Sequence, residues 1–238
     1  MFNLSGTKKV QLANGSLISY ELLKKSRRTL SLKITPKGLV VHAPLLMSKN
    51  RIDQFIQNKS KWIQEKLLLT LTNEKPFEIK NGERFKIFDK ELIITLEEGK
   101  NNIIIHKNDC LISFRNLSNP FMLKKFFLKW LKNYAHSYFI ERVKNLCKKN
   151  NLRPQTTLIS NAKTRWGTCN NKKEIRLNWR LIQCPLFVID YVICHELSHL
   201  KFMNHSKSFW HQVYLLFPNY KKAEEYLKKN GFKLYRLD

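Results

Sequence analysis

The 238-residue sequence predicts an α+β fold: a β-rich part with one helix over residues 1–118, then a helix-rich α+β part over 119–238. Three observations predict it. Short runs that alternate apolar and polar residues, broken by Asn-Gly and Pro-x-Gly, fill most of the first half. A long stretch of helical apolar spacing opens at Asn119-Pro120, a good cap followed by a residue tolerated in the first turn. After Pro185, a strongly apolar helical segment carries two histidines four residues apart, His195 and His199.

The elements follow in order. Residues 10–13 and 17–22 read as a hairpin around Asn14-Gly15, a strong type I′ turn signal. Residues 30–34 alternate, Pro36-Lys37-Gly38 turns the chain and 39–43 return it. Ser48 caps a helix with Ile52, Phe55, Ile56, Trp62, Ile63 and Leu67 at helical spacing. Residues 77–79, 85–88, 92–96, 103–105 and 111–114 read as short strands. The long helix spans about 121–148, with Phe127, Trp130, Leu131, Tyr134, Tyr138 and Val143 on its apolar face. Residues 157–160, 165–169 and 174–178 are candidate strands, the last pair joined by a turn at Asn170-Asn171. The helix after Pro185 runs to about Lys201. Ser206 caps another to about Leu216, and Asn219 caps a last one that Gly231 ends as a left-handed terminator. No internal repeat is visible.

Composition excludes several classes. Hydrophobic residues make up 43% of the chain and charged residues 26%, enough for a real core and too ordinary for bulk disorder. No stretch approaches the length of uncharged apolar residues that a membrane span needs. The N-terminus has no apolar export segment with a small-residue cleavage site, so a cytoplasmic protein is expected. The five cysteines, an odd number without CxxC spacing, fit free thiols in a reducing compartment. Net charge is +26, spread over both halves. Such a field attracts polyanions, so non-specific binding of nucleic acid or nucleotides is one reading. The other is codon drift. With 33 lysines against 11 arginines, 22 asparagines and only 5 alanines, the composition matches that of an AT-rich genome, and base readers lean on arginine.

The chemistry concentrates in Cys194-His195-Glu196-Leu197-Ser198-His199, an HExxH pattern on a helix. Residues four apart share a face, so both imidazoles reach one metal ion. Glu196 then reaches a water on that ion without displacing a ligand. At this chain's own His and Glu frequencies the pattern arises by chance in about one such sequence in a hundred. A third ligand is needed, and His205, His211, Glu224 and Glu225 compete for the position. His205 sits in a polar loop six residues after His199, the metzincin step, but Phe202 stands where a metzincin has glycine. Arg165 is a candidate transition-state stabiliser; the alternative makes 165–169 structural, with Trp166 and Cys169 in the core and Gly167 allowing close backbone approach. Tyr191, one turn before His195, is either a second stabiliser or plain core. Cys194 turns away from the ligand face and reads as packing.

Five segments occur in order: Thr164-Arg165-Trp166-Gly167-Thr168-Cys169, Ile175-Arg176-Leu177-Asn178, Ile189-Asp190-Tyr191-Val192, His195 to Leu200, and Asn204-His205-Ser206-Lys207-Ser208-Phe209-Trp210. Together they resemble the YgjP-like metallopeptidase family, relatives of the SprT-like zincins. Arg27 to Leu30, Val41 to Pro44 and Trp62 match its N-terminal part more loosely, so the resemblance covers most of the chain, and one continuous family domain is the alternative to the two-part division. Thr168 replaces the serine of the family's Trp-Gly-Ser-Cys motif and keeps the hydroxyl. The resemblance implies a zincin-like fold, Zn²⁺ on His195, His199 and His205, Glu196 as catalytic carboxylate, and a peptide or protein substrate. Two rivals stand beside it. A metal-dependent nucleotide pyrophosphatase would suit the basic surface, although no GxxxxGK loop is present. A nucleic-acid-associated basic protein would use the aromatic and lysine neighbours around Lys124-Lys125-Phe126-Phe127.

Overall fold

The computed structural model describes residues 5–12, 15–35, 38–60, 62–64, 67 and 77–238. Asn14 and Pro36-Lys37, from the two expected turns, lie outside the described residues. The chain forms two compact units, Met1–Lys75 and Pro76–Asp238, and both mix sheets with helices. Among the described residues no helix is long and apolar enough to cross a membrane.

In the first unit, β1 (Ser5–Gln11), β2 (Leu17–Lys25), β3 (Ser31–Thr35) and β4 (Gly38–Pro44) form a sheet of order β1-β2-β4-β3. Two antiparallel hairpins are joined by a parallel β2–β4 seam that pairs Tyr20 with Leu39 and Leu22 with Val41. The Ser48 hydroxyl accepts from the Arg51 amide and starts α1 (Lys49–Asn58). Ile52 and Ile56 of α1, together with Ile63, bury against Tyr20, Leu39 and Val41. Trp62, expected on the same apolar face, is 38% exposed.

The second unit repeats this arrangement without repeating the sequence. Strands β5 (Arg84–Ile87), β6 (Lys90–Glu98), β7 (Asn102–His106) and β8 (Asp109–Phe114) follow the order β5-β6-β8-β7, again with a parallel central seam. Residues 77–79 form no strand, yet Phe77 is buried. The sequence reading grouped these strands with the N-terminal part. Here their apolar faces share one continuous core with the C-terminal elements: Phe85, Ile94 and Ile112 belong to the same cluster as Phe127, Leu177 and Ile193. Alternation shows that a strand has an apolar face but not which partner covers it.

Helix α2 (Pro120–Asn150) links the sheet to the rest of the unit. Asn119 accepts from the Met122 amide at 3.0 Å, as expected of the cap. Its buried residues, Leu123, Phe127, Leu131, Ala135, Phe139, Val143 and Cys147, recur every fourth position. Each such step overshoots a full turn by about 40°. The buried stripe therefore winds around the helix. Phe127 meets Phe77 and Phe85, with ring centroids 5.7 and 5.1 Å apart. Nearer the C-terminus the stripe faces β9 (Thr156–Ser160) and α3 (Leu186–Ser198). Of the expected face, Phe127, Leu131 and Val143 are buried, while Tyr134 is exposed.

Strands β9, β10 (Gly167–Cys169) and β11 (Glu174–Asn178) make a small sheet of order β10-β11-β9, with β9 parallel and β10 antiparallel to β11. Helices α3, α4 (Lys207–Leu216) and α5 (Tyr220–Asn230) complete the unit. Gly231 is not left-handed: its φ is −56°, and the chain continues into a 3₁₀ turn, Gly231–Leu237. Glycine is required there because a Cβ would lie 2.7 Å from the Trp166 ring.

That turn is fixed by Arg180, 1% exposed between the Trp179 and Tyr235 rings. Its guanidinium donates to Asp238 from Nε at 2.8 Å and to Asn161 from Nη2 at 2.9 Å. Removing one partner of a buried ion pair strands the other. Asp238 keeps some water, so Arg180→Ala is expected to cost about 3 kcal/mol, the low end for such pairs. A shift of the urea midpoint with an unchanged slope would register it.

Candidate metal centre and active-site cleft

Helix α3 is mostly apolar and largely buried in the core. Val188, Ile189, Val192, Ile193, Cys194 and Leu197 are all buried. Regular helix stops at Ser198, short of the expected Lys201, and Leu200 and Lys201 form a turn. Phe202 closes that turn by donating its amide to the Ser198 carbonyl at 3.0 Å. The chain then reverses, and the Ser206 hydroxyl accepts from the Phe209 amide to start α4. This reversal carries His205 back over the end of α3.

As a result His195, His199 and His205 present ring nitrogens that all lie within 4.8 Å of one another. The Nε2 atoms of His195 and His205 are 3.1 Å apart. Four ligands at about 2.0–2.1 Å around a tetrahedral ion stand about 3.3 Å from each other, so the donor spacing suits one ion. The tautomers suit it as well. His199 Nδ1 lies 3.0 Å from the Phe202 carbonyl. A carbonyl can only accept, so Nδ1 carries the proton and Nε2 keeps a free lone pair. Burial, with His199 and His205 adding to it, pushes His195 down to about 3. Burial also lowers His199. Both rings are therefore neutral, the form that binds metals. Phe209, fully buried on the first turn of α4, stacks on His199 at 4.5 Å and meets His195 and His205 at 4.9 and 4.7 Å. One ring thus supports all three imidazoles, a role the sequence reading did not assign.

Glu196 is 4% exposed, and its Oε2 has no hydrogen-bond partner among the described residues. Burial pushes its pKa up to about 8, while Arg165 pulls the other way. The carboxylate lies on Gly167 of β10: a Cβ there would stand 2.6 Å from Glu196 Cγ and 2.7 Å from Cδ. The close backbone approach expected at Gly167 is thus made to Glu196. Trp166 is half-buried and packs on Tyr235.

A cleft of about 330 Å³ opens over these residues, lined among others by Arg165, Gly167, Tyr191, His195, Glu196 and Glu224. Arg165 is exposed on its wall. Tyr191 is buried and donates its hydroxyl to Glu224 at 3.1 Å. Glu224, one of the candidate third ligands, is thereby engaged. Glu225 and His211 are exposed, and neither joins the histidine group among the described residues. Cys194 is fully buried, its thiol held up near 12 by burial. Behind the site, Arg142 of α2 grips Asp190 through two bonds of 2.6 and 2.5 Å, fixing α3 five residues before His195. A salt bridge between elements so far apart in sequence leaves no periodic signal by which to find it.

No curated protein matches the chain. The family model described as YgjP-like, metallopeptidase domain, matches residues 28–230, which contain the three histidines, Glu196 and every residue of the cleft named above. The chain therefore belongs to the YgjP-like metallopeptidase family.

Proposed function

We propose that the protein is a zinc-dependent peptidase with a zincin-like core, in which His195, His199 and His205 hold the ion and Glu196 moves the proton. The observation behind this reading is three converging imidazoles, two of them kept neutral by burial, beside a buried carboxylate oxygen that no donor among the described residues satisfies. An all-imidazole set suits zinc better than magnesium or calcium, which take oxygen ligands. When bound, the ion supplies Lewis acidity, which brings the pKa of water from 15.7 to about 7.

The chain's own residues do the rest. Glu196 accepts the proton of the attacking water as it adds to the peptide carbonyl, then returns that proton to the leaving amine nitrogen. The dry setting of Glu196 strengthens each of these contacts. Arg165, on the wall of the same cleft, offers N–H donors to the carbonyl oxygen as negative charge develops there. Tyr191, engaged with Glu224, shapes the wall of the cleft.

The test is direct. Protein stripped with a chelator should be inactive, and one equivalent of zinc should restore cleavage of a denatured protein such as casein. The same preparation should release no pyrophosphate from nucleoside triphosphates. Release of pyrophosphate and nucleoside monophosphate without peptide cleavage would replace this reading with the pyrophosphatase.

A further inference from the structure

A second hollow lies away from the histidines, between α2 and β9. It measures about 800 Å³ and is lined by 136–158 residues from α2, the following loop and β9. Its apolar surface comes from Ile140, Val143 and Leu158, among others, and Ile140 is 42% exposed. Its charged residues are Lys144, Lys148 and Arg153, and no acidic residue lines it. One side is the first part of β9, Thr156 to Leu158, and β9 is an edge strand of its sheet. Among the described residues nothing pairs with the outer side of this strand. In a parallel ladder alternate residues point both amide and carbonyl away from the neighbouring strand. The segment Thr-Thr-Leu-Ile-Ser contains no charge, proline or bulge, the usual devices that protect an exposed edge.

We propose that this groove is a docking site for an extended acidic peptide, which adds to β9 as a fourth strand. The open backbone edge supplies directional hydrogen bonds, the apolar surface takes alternate side chains, and the lysines and arginine pair with carboxylates. A second copy of the chain fits poorly, because a two-fold contact would bring two sets of these cations together. Nucleic acid fits less well than peptide, since no Phe, Tyr or Trp lines the groove to stack a base. The groove is separated from Glu196 by the width of the sheet, with β9 and β10 on opposite edges of β11. A protein held here is tethered near the cleft without occupying it.

The test is binding to the full-length protein. The probe is a fluorescein-labelled ten-residue peptide of alternating Glu and Val, read by anisotropy. Lys144→Glu/Lys148→Glu changes two exposed helix positions and is expected to weaken binding by at least about tenfold. Chelator and Glu196→Gln should leave the affinity unchanged. Exchange of alternate amides of Thr156–Ser160 should slow when the probe binds. Equal affinity in the charge-reversed protein would overturn the proposal. So would unchanged amide exchange, displacement of the probe by oligo-dT at lower concentration than by the unlabelled peptide, or a dimer that buries β9.

Discussion

Glu196→Gln is expected to keep one equivalent of bound metal and to lower peptide turnover by about 10²–10⁴-fold, the range for losing a positioned general base. The substitution is nearly isosteric, so the buried site keeps its packing. Only the ability to take and return a proton disappears. The loss should fall on kcat, because the side chain acts as the bond changes and does not serve to hold the substrate. Metal content by elemental analysis and turnover on a zinc-restored peptide substrate separate the two effects. A variant that hydrolysed peptide at the native rate would remove Glu196 from the mechanism. One that lost its metal would make it a ligand.

Gly167→Ala is expected to be nearly as damaging without touching a proposed ligand or base. The new methyl group would occupy the place of the Glu196 side chain, 2.6 Å from Cγ. The strand cannot yield easily: Gly167 pairs with Leu177, and the neighbouring Trp166 carbonyl accepts from the Asn178 amide at 2.8 Å. The carboxylate must therefore move, and a displacement of about 1 Å in a catalytic group costs on the order of 10²-fold in rate. Overpacking adds about 1–3 kcal/mol of destabilisation. Gly167→Ala/Glu196→Ala removes the clash and should regain stability in thermal unfolding while remaining inactive. If the double variant were no more stable than the single one, the strain would lie elsewhere.

The site was more legible in the sequence than the fold around it. HExxH places two imidazoles on one helical face by geometry alone, and Ser206 reads correctly as the cap whose helix start returns His205 to them. Gly167 was legible as a close-approach residue, but a glycine does not name what approaches it. Glu224 illustrates the opposite limit: its residue type suits a metal ligand, and only the Tyr191 hydroxyl beside it shows its engagement. Gly231 was misread because a glycine after a helix most often ends it left-handed, whereas here the Trp166 ring excludes a side chain. In the fold, strands and capped helices could be found by period and punctuation. The grouping of β5–β8 with the C-terminal elements could not, because it depends on which apolar faces meet. The four-residue step of α2 was written in the sequence, but its meaning, a stripe that winds from one sheet to another, appears only when both partners are in place.

Anomalous scattering at the zinc edge, on crystals of the metal-restored protein, addresses the central claim most directly. The expected result is one zinc per chain, about 2.0–2.1 Å from a ring nitrogen of each of His195, His199 and His205. A fully loaded crystal whose zinc lay on other residues, or left any of these three rings turned away, would contradict it.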